Sequence, residues 1–164
     1  MRMTTLLLAT LLSLVPAAMR AQPGNTVEVV FSPQGGRFFD AGDSQREIER
    51  TQAALSSHFQ TLAQRWLAPG TKLRIEVTEI DLAGEVPPTS IQRVRVLKGA
   101  ADWPRITLRY ELVSADGKVE RAEASVSDMN YTMKQSNVYA GEALAYEKRM
   151  LDDWFRSRFA QAPG

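Results

Sequence analysis

The sequence predicts a two-layer α/β sandwich in which a mixed sheet of four to five strands is covered on one face by two helices. Three observations carry this reading. Ile48, Gln52, Leu55, Phe59, Leu62 and Trp66 follow one another at alternating spacings of four and three, which is one face of an α-helix interrupted only by Gln52. Leu73, Ile75 and Val77, and later Ile106, Leu108, Tyr110 and Leu112, alternate with polar residues at the period of a strand. Asp116-Gly117 then separates that second run from another alternating run, the signal of a β-hairpin.

The elements follow in order. Thr26–Phe31 alternates Val27, Val29 and Phe31 with Thr26, Glu28 and Val30 and reads as a first strand, ended by Ser32-Pro33-Gln34-Gly35-Gly36. Ser44 and Glu47 have the spacing of a capping box, so a helix begins there and runs to Ala68-Pro69-Gly70. In the next strand Ile80 and Leu82 carry the apolar residues in the opposite phase to Leu73, Ile75 and Val77. A phase flip near Thr78 and Glu79 predicts a β-bulge. Beyond Pro87-Pro88, residues 91–96 read as a further strand with Ile91, Arg93 and Arg95 on one face. Ala122, Ala124 and Val126 form the inward side of the strand after the hairpin, residues 128–141 have no period, and Glu142–Phe159 reads as a final helix. Its face is Tyr146, Met150, Leu151, Trp154, Phe155 and Phe159, and Glu147, Arg149 and the remaining charges are expected in solvent. The order is β-α-β-β-β-β-α, and a right-handed crossover makes the first two strands parallel.

Residues 1–21 have the layout of a secretory signal peptide: Arg2, an apolar run from Leu6 to Val15, then Pro16 and small residues. Cleavage is expected after Ala21, Ala18 or Ala17, leaving a single α/β domain over residues 22–164. The apolar run is shorter than the roughly 20 residues of a membrane span, so no anchor is expected. The chain has no cysteine, which excludes a lipid-bearing N-terminal cysteine, disulfides, thiolate metal sites and cysteine nucleophiles. Loss of Arg2 and Arg20 with the leader takes the net charge from +1 to −1, which gives no electrostatic case for nucleic acid. The expected location is the periplasm.

The chemistry-bearing stretch is Glu79-Ile80-Asp81-Leu82-Ala83-Gly84-Glu85. Glu79, Asp81 and Glu85 could ligate a hard cation or act as acids, but Glu79 and Asp81 share a strand face while Glu85 lies past a turn, and the spacing matches no EF-hand loop. The alternative is structural, with Asp81 or Glu85 capping backbone N–H groups near Gly84 or pairing with an arginine. Arg93, Arg95, Arg105 and Arg109 lie on or beside strands. They read either as an ordinary charge ladder or as a patch for anions or carboxylates on the helix-free face. His58, the single histidine, is expected at the surface beside the helix stripe. Trp66 and Trp154 read as core anchors, and Trp103, in a loop before Pro104, as a surface-binding aromatic. Gly35-Gly36 lacks the spacing of a phosphate loop, Ser56 and Ser57 lack a nucleophile elbow, and no cofactor motif is present.

Glu79–Glu85 (EIDLAGE), Ile91–Leu97 (IQRVRVL), Asp102–Leu112 (DWPRITLRYEL) and Tyr146–Phe155 (YEKRMLDDWF) together resemble a family of small exported proteobacterial proteins known only as a domain of unknown function. The resemblance implies a single periplasmic domain and carries no activity, cofactor or catalytic residue. The leading expectation is a non-enzymatic binding or accessory module of the cell envelope with a protein partner. The alternatives are a metal-assisted or acid/base hydrolase centred on Glu79, Asp81 and Glu85, and a self-assembling envelope protein whose exposed sheet edge pairs with itself.

Overall fold

The computed structural model describes residues 24–36, 38, 40–87, 95–133 and 136–160. The elements are β1 (Thr26–Phe31), α1 (Gln45–Trp66), β2 (Lys72–Asp81), β3 (Arg105–Val113), β4 (Val119–Ser127) and α2 (Ala145–Phe159), with one 3₁₀ turn at Gly99–Ala101. The sheet order is β1-β2-β3-β4, with β1 parallel to β2 and the other pairs antiparallel. This is the expected α+β sandwich with a four-stranded mixed sheet. The segment 91–94 of the expected extra strand lies outside the described residues. Beside it, Val96 makes an isolated antiparallel bridge with Glu85 among the described residues.

Local chemistry explains where the elements begin. The Ser44 hydroxyl accepts from the Glu47 amide at 3.3 Å, and the Glu47 carboxylate accepts from the amides of Ser44 and Asp43 at 3.2 and 2.9 Å. Two of the amides that open α1, those of Ser44 and Glu47, and the Asp43 amide before them are thereby satisfied. The bulge falls at Thr78: Val77 faces Leu108 while Glu79 faces Thr107, and the Thr78 hydroxyl donates to the Thr107 carbonyl. The extra residue is why Leu73, Ile75 and Val77, and then Ile80 and Leu82, are all buried despite their change of phase. The hairpin turns at Gly117, whose φ of 85° suits glycine. α2 starts at Ala145 instead of Glu142, because Leu144 takes a left-handed conformation (φ 58°) before the helix.

Both helices lie on the same face of the sheet. Leu55, Phe59 and Leu62 of α1 and Leu151 and Phe155 of α2 meet Ile75, Val77, Ile106 and Leu108 in one core, with Trp66 and Trp154 packed at its margin. Truncating any of these large side chains costs about 2–5 kcal/mol.

Three polar residues expected at the surface are instead buried: His58, Glu147 and Arg149. His58 is enclosed where α1 meets α2, Glu147 where α2 meets the exit of β2 and Arg149 against the segment after β4, contacts that periodicity within one helix does not reveal. His58 reaches across to α2, its Nε2 lying 2.9 Å from the Lys148 carbonyl and its ring edge-on to Tyr139. Asp152, between the helices, accepts from Trp66 Nε1, the Tyr139 hydroxyl and Arg65. Arg149 donates to the Tyr131 carbonyl at 2.6 Å and to Asp128, and so fixes the start of the irregular loop.

Burial is the main influence on His58, and it lowers the pKa below 6.5 despite the carbonyl contact. The native state then binds the proton less readily than the unfolded chain. The stability contributed by the neutral ring is full above pH 6.5 and is lost as pH falls through the lowered native value. An NMR titration of this single imidazole is expected to give a midpoint below 6.5, with unfolding in urea becoming easier across the same acid range.

Candidate functional site

The exit of β2 divides the three carboxylates of the Glu79–Glu85 stretch. Glu79 and Asp81 stand on one face of the strand beside β3, where Glu79 Oε2 accepts from the Thr107 hydroxyl at 2.9 Å and Asp81 Oδ2 accepts from Arg105 at 3.0 Å. They line a cleft of about 340 Å³ with Gln34, Phe38 and Asp40. Glu85 pairs with Lys98 and lines a different cleft with Arg95, Asp40 bordering both. Partial burial raises the Asp81 pKa, opposed by Arg105. Among the described residues no group of three or more His, Cys, Asp or Glu side chains is placed to hold a metal ion.

The backbone between those carboxylates, Leu82-Ala83-Gly84, is where the polar chemistry concentrates. Asp40 Oδ2 accepts from the Leu82 amide at 2.5 Å, and Glu147 Oε1 accepts from the Ala83 amide at 2.8 Å. The Arg95 guanidinium donates to the carbonyls of Leu82, Ala83 and Gly84 and to both oxygens of Asp40, the last at 2.7 and 2.9 Å. Gly84 has φ 72°, and a Cβ there would collide with the Val96 carbonyl. Asp81 pairs with an arginine, one of the two structural roles foreseen for it. The capping of the amides before Gly84 falls to Asp40 and Glu147, residues remote in sequence. Neither carried a local signal. Asp40 lies in an unpatterned loop, and Glu147 looks like any charge in the first turn of a helix.

Arg95 is accordingly a clamp on the main chain, not part of an exposed arginine face, and Arg93 lies outside the described residues. The helix-free face of the sheet carries alternating charges across adjacent strands. One row runs Glu28, Arg74, Glu111, Arg121 and the next Glu76, Arg109, Glu123. Glu28–Arg74 is 2.8 Å, Glu111–Arg121 is 2.5 Å, and Arg109 lies 3.2 Å from Glu123 and 3.9 Å from Glu76. Among the described residues Arg74, Arg109 and Arg121 each lie beside glutamates on neighbouring strands, the pattern of a charge ladder. Trp103 is half-buried and Pro104 after it buried, so Trp103 offers less surface than its loop position promised.

Residues 25–157 match the model of a family described as protein of unknown function (DUF3016). The chain belongs to this family. The DUF3016 segment spans the clamp from Asp40 through Arg95 to Glu147 and contains all four stretches on which the resemblance rests. No curated protein matches the chain.

Arg95→Met is expected to lower stability by about 2–4 kcal/mol, because three carbonyls and Asp40 lose charge-assisted donors. Arg109→Met, on the solvated ladder, is expected to cost under about 1 kcal/mol; chemical denaturation of the two variants measures the contrast. Burial raises the Glu147 pKa, with the Ala83 amide and Arg95 opposing it. The fold therefore favours the protonated acid, whose contribution is full below the unfolded-state value and declines as pH rises through the native one. Glu147→Gln keeps an acceptor for Ala83 and is expected to flatten this decline in urea unfolding between pH 4 and 8.

Proposed function

We propose that this DUF3016 protein is an exported, non-enzymatic accessory module of the bacterial cell envelope that binds a protein partner. The carrying observation is how its polar residues are used. The carboxylates and guanidinium around the Glu79–Glu85 stretch are engaged with backbone or with one another, while apolar side chains stand exposed in the segments after β4 and before β3. Met133 and Val138 are 78% and 79% exposed, and Met129, Val96 and Leu97 are also open. The 95–99 and 128–133 segments adjoin: the Tyr131 hydroxyl accepts from the Gly99 amide at 3.1 Å. Tyr131 is buried and Arg149 holds its carbonyl, so the loop presents its methionines from a fixed base. Exposed methionine beside other apolar groups suits recognition of a protein surface. Export rests on the N-terminal leader pattern and on the family resemblance.

The test compares partner capture from a periplasmic extract by the wild-type protein with capture by Met133→Glu and Leu97→Glu. A specific partner is expected to be retained by the wild type and weakened at least about tenfold by either substitution, at unchanged folding. Asp81→Asn and Arg109→Met are expected to retain it. Equal capture by all variants, or loss of capture only with Asp81→Asn, would sink the reading.

A further inference from the structure

β4 closes one side of the sheet, and its outer edge is built to continue the charge pattern of the helix-free face. The Ser114 amide donates to the Lys118 carbonyl at 2.9 Å, and Val113 faces Val119. Hydrogen-bonded pairs with β3 therefore fall at Glu120, Ala122, Ala124 and Val126. The N–H and C=O groups of Val119, Arg121, Glu123 and Ser125 point away from the sheet. Among the described residues no backbone group pairs with them. The strand is nine residues long, without proline or bulge, and Arg121, Ala122 and Glu123 are exposed.

We propose that β4 pairs antiparallel with β4 of a second copy of this chain, about a twofold axis through Ala122, giving one continuous eight-stranded sheet. This goes beyond partner binding by the loop. In this register Arg121 lies opposite Glu123 of the second copy, and Glu123 opposite its Arg121. The row Glu28, Arg74, Glu111, Arg121 then continues into Glu123, Arg109 and Glu76 of the second copy without a break in alternation. Val119 lies opposite Ser125, and Val119, Arg121, Glu123 and Ser125 of each strand form the hydrogen-bonded pairs of the new ladder. Moving the axis to Glu123 or to Arg121 sets that residue against itself, and like charges directly opposite are unfavourable. Of these registers only the axis at Ala122 sets Arg121 against Glu123.

The other edge of the sheet does not offer this. β1 has six residues and a single charge, Glu28, flanked on its own face by Thr26 and Val30, so self-pairing there gains no ion pair. On the helix side of β4, Glu120 is held by Arg158 and the Tyr110 hydroxyl, which leaves no free inward charge at the seam. A junction of one strand belongs to the small-interface class, so association is expected at about 10–100 μM.

Sedimentation of the purified protein from about 5 to 200 μM tests this. The wild type is expected to shift from monomer to dimer across that range. Arg121→Glu and Glu123→Arg are each expected to weaken dimerisation at least about tenfold, since each sets like charges across the seam. An equimolar mixture of the two variants restores both opposite-charge pairs and is expected to dimerise as the wild type does. Ala122→Cys places a thiol beside its symmetry mate in a chain that has no other cysteine. It is expected to give a disulfide-linked dimer under mild oxidation, whereas Ala124→Cys, opposite Glu120, is not. A wild-type protein that stays monomeric throughout overturns the proposal, as do single variants that dimerise like the wild type or a mixture that stays monomeric.

Discussion

The fold depends on fixing the main chain of Leu82-Ala83-Gly84 as it leaves β2. Here the chain stops pairing with β3 and must bury its polar groups without a strand partner, at a corner where the core is still closed. An unpaired buried backbone group costs about 1–3 kcal/mol, and several lie in succession here. Arg95 serves the carbonyls, while Asp40 and Glu147 serve two of the amides. Those three residues come from the loop before α1, the segment before the 3₁₀ turn and the first turn of α2. One corner of backbone thereby ties together the crossover, the segment leading to β3 and the final helix.

This explains why a stretch rich in acids holds its own carboxylates apart. Asp81 and Glu79 serve β3 through Arg105 and Thr107, and Glu85 serves Lys98, while the backbone between them is served from elsewhere. The same economy governs the open face of the sheet, where each arginine lies beside glutamates on neighbouring strands. Among the groups still open in the described residues are the apolar side chains around Met133 and the outward backbone of β4. Both are surfaces that a second polypeptide can cover.

The sandwich was legible because each element carries its own period, and the capping box at Ser44, the turn at Gly117 and the bulge at Thr78 are all local signatures. The phase flip gave the bulge because burial on one face tolerates no change of phase without an extra residue. Glu147, Arg149 and His58 were misplaced for a shared reason. A helix pattern separates an apolar stripe from the rest, but it cannot say which neighbouring elements will cover the stripe's flanks: the other helix over His58, the exit of β2 over Glu147 and the segment after β4 over Arg149. The Asp40–Arg95 pair spans 55 residues, and Arg95 looked like one more arginine on a strand.

By itself, the sequence determined the four described strands, both helices, the parallel start of the sheet and most of the residues that build the core, because hydrophobic period and turn chemistry act over a few neighbouring residues. It also set the leader pattern and the absence of cysteine. Only the tertiary structure decided the partners of the polar groups: Asp81 with Arg105, Glu85 with Lys98, and Arg95 and Glu147 on the main chain. Hydrogen bonds and ion pairs form between groups brought within about 3 Å, and which groups those are follows from how the layers close.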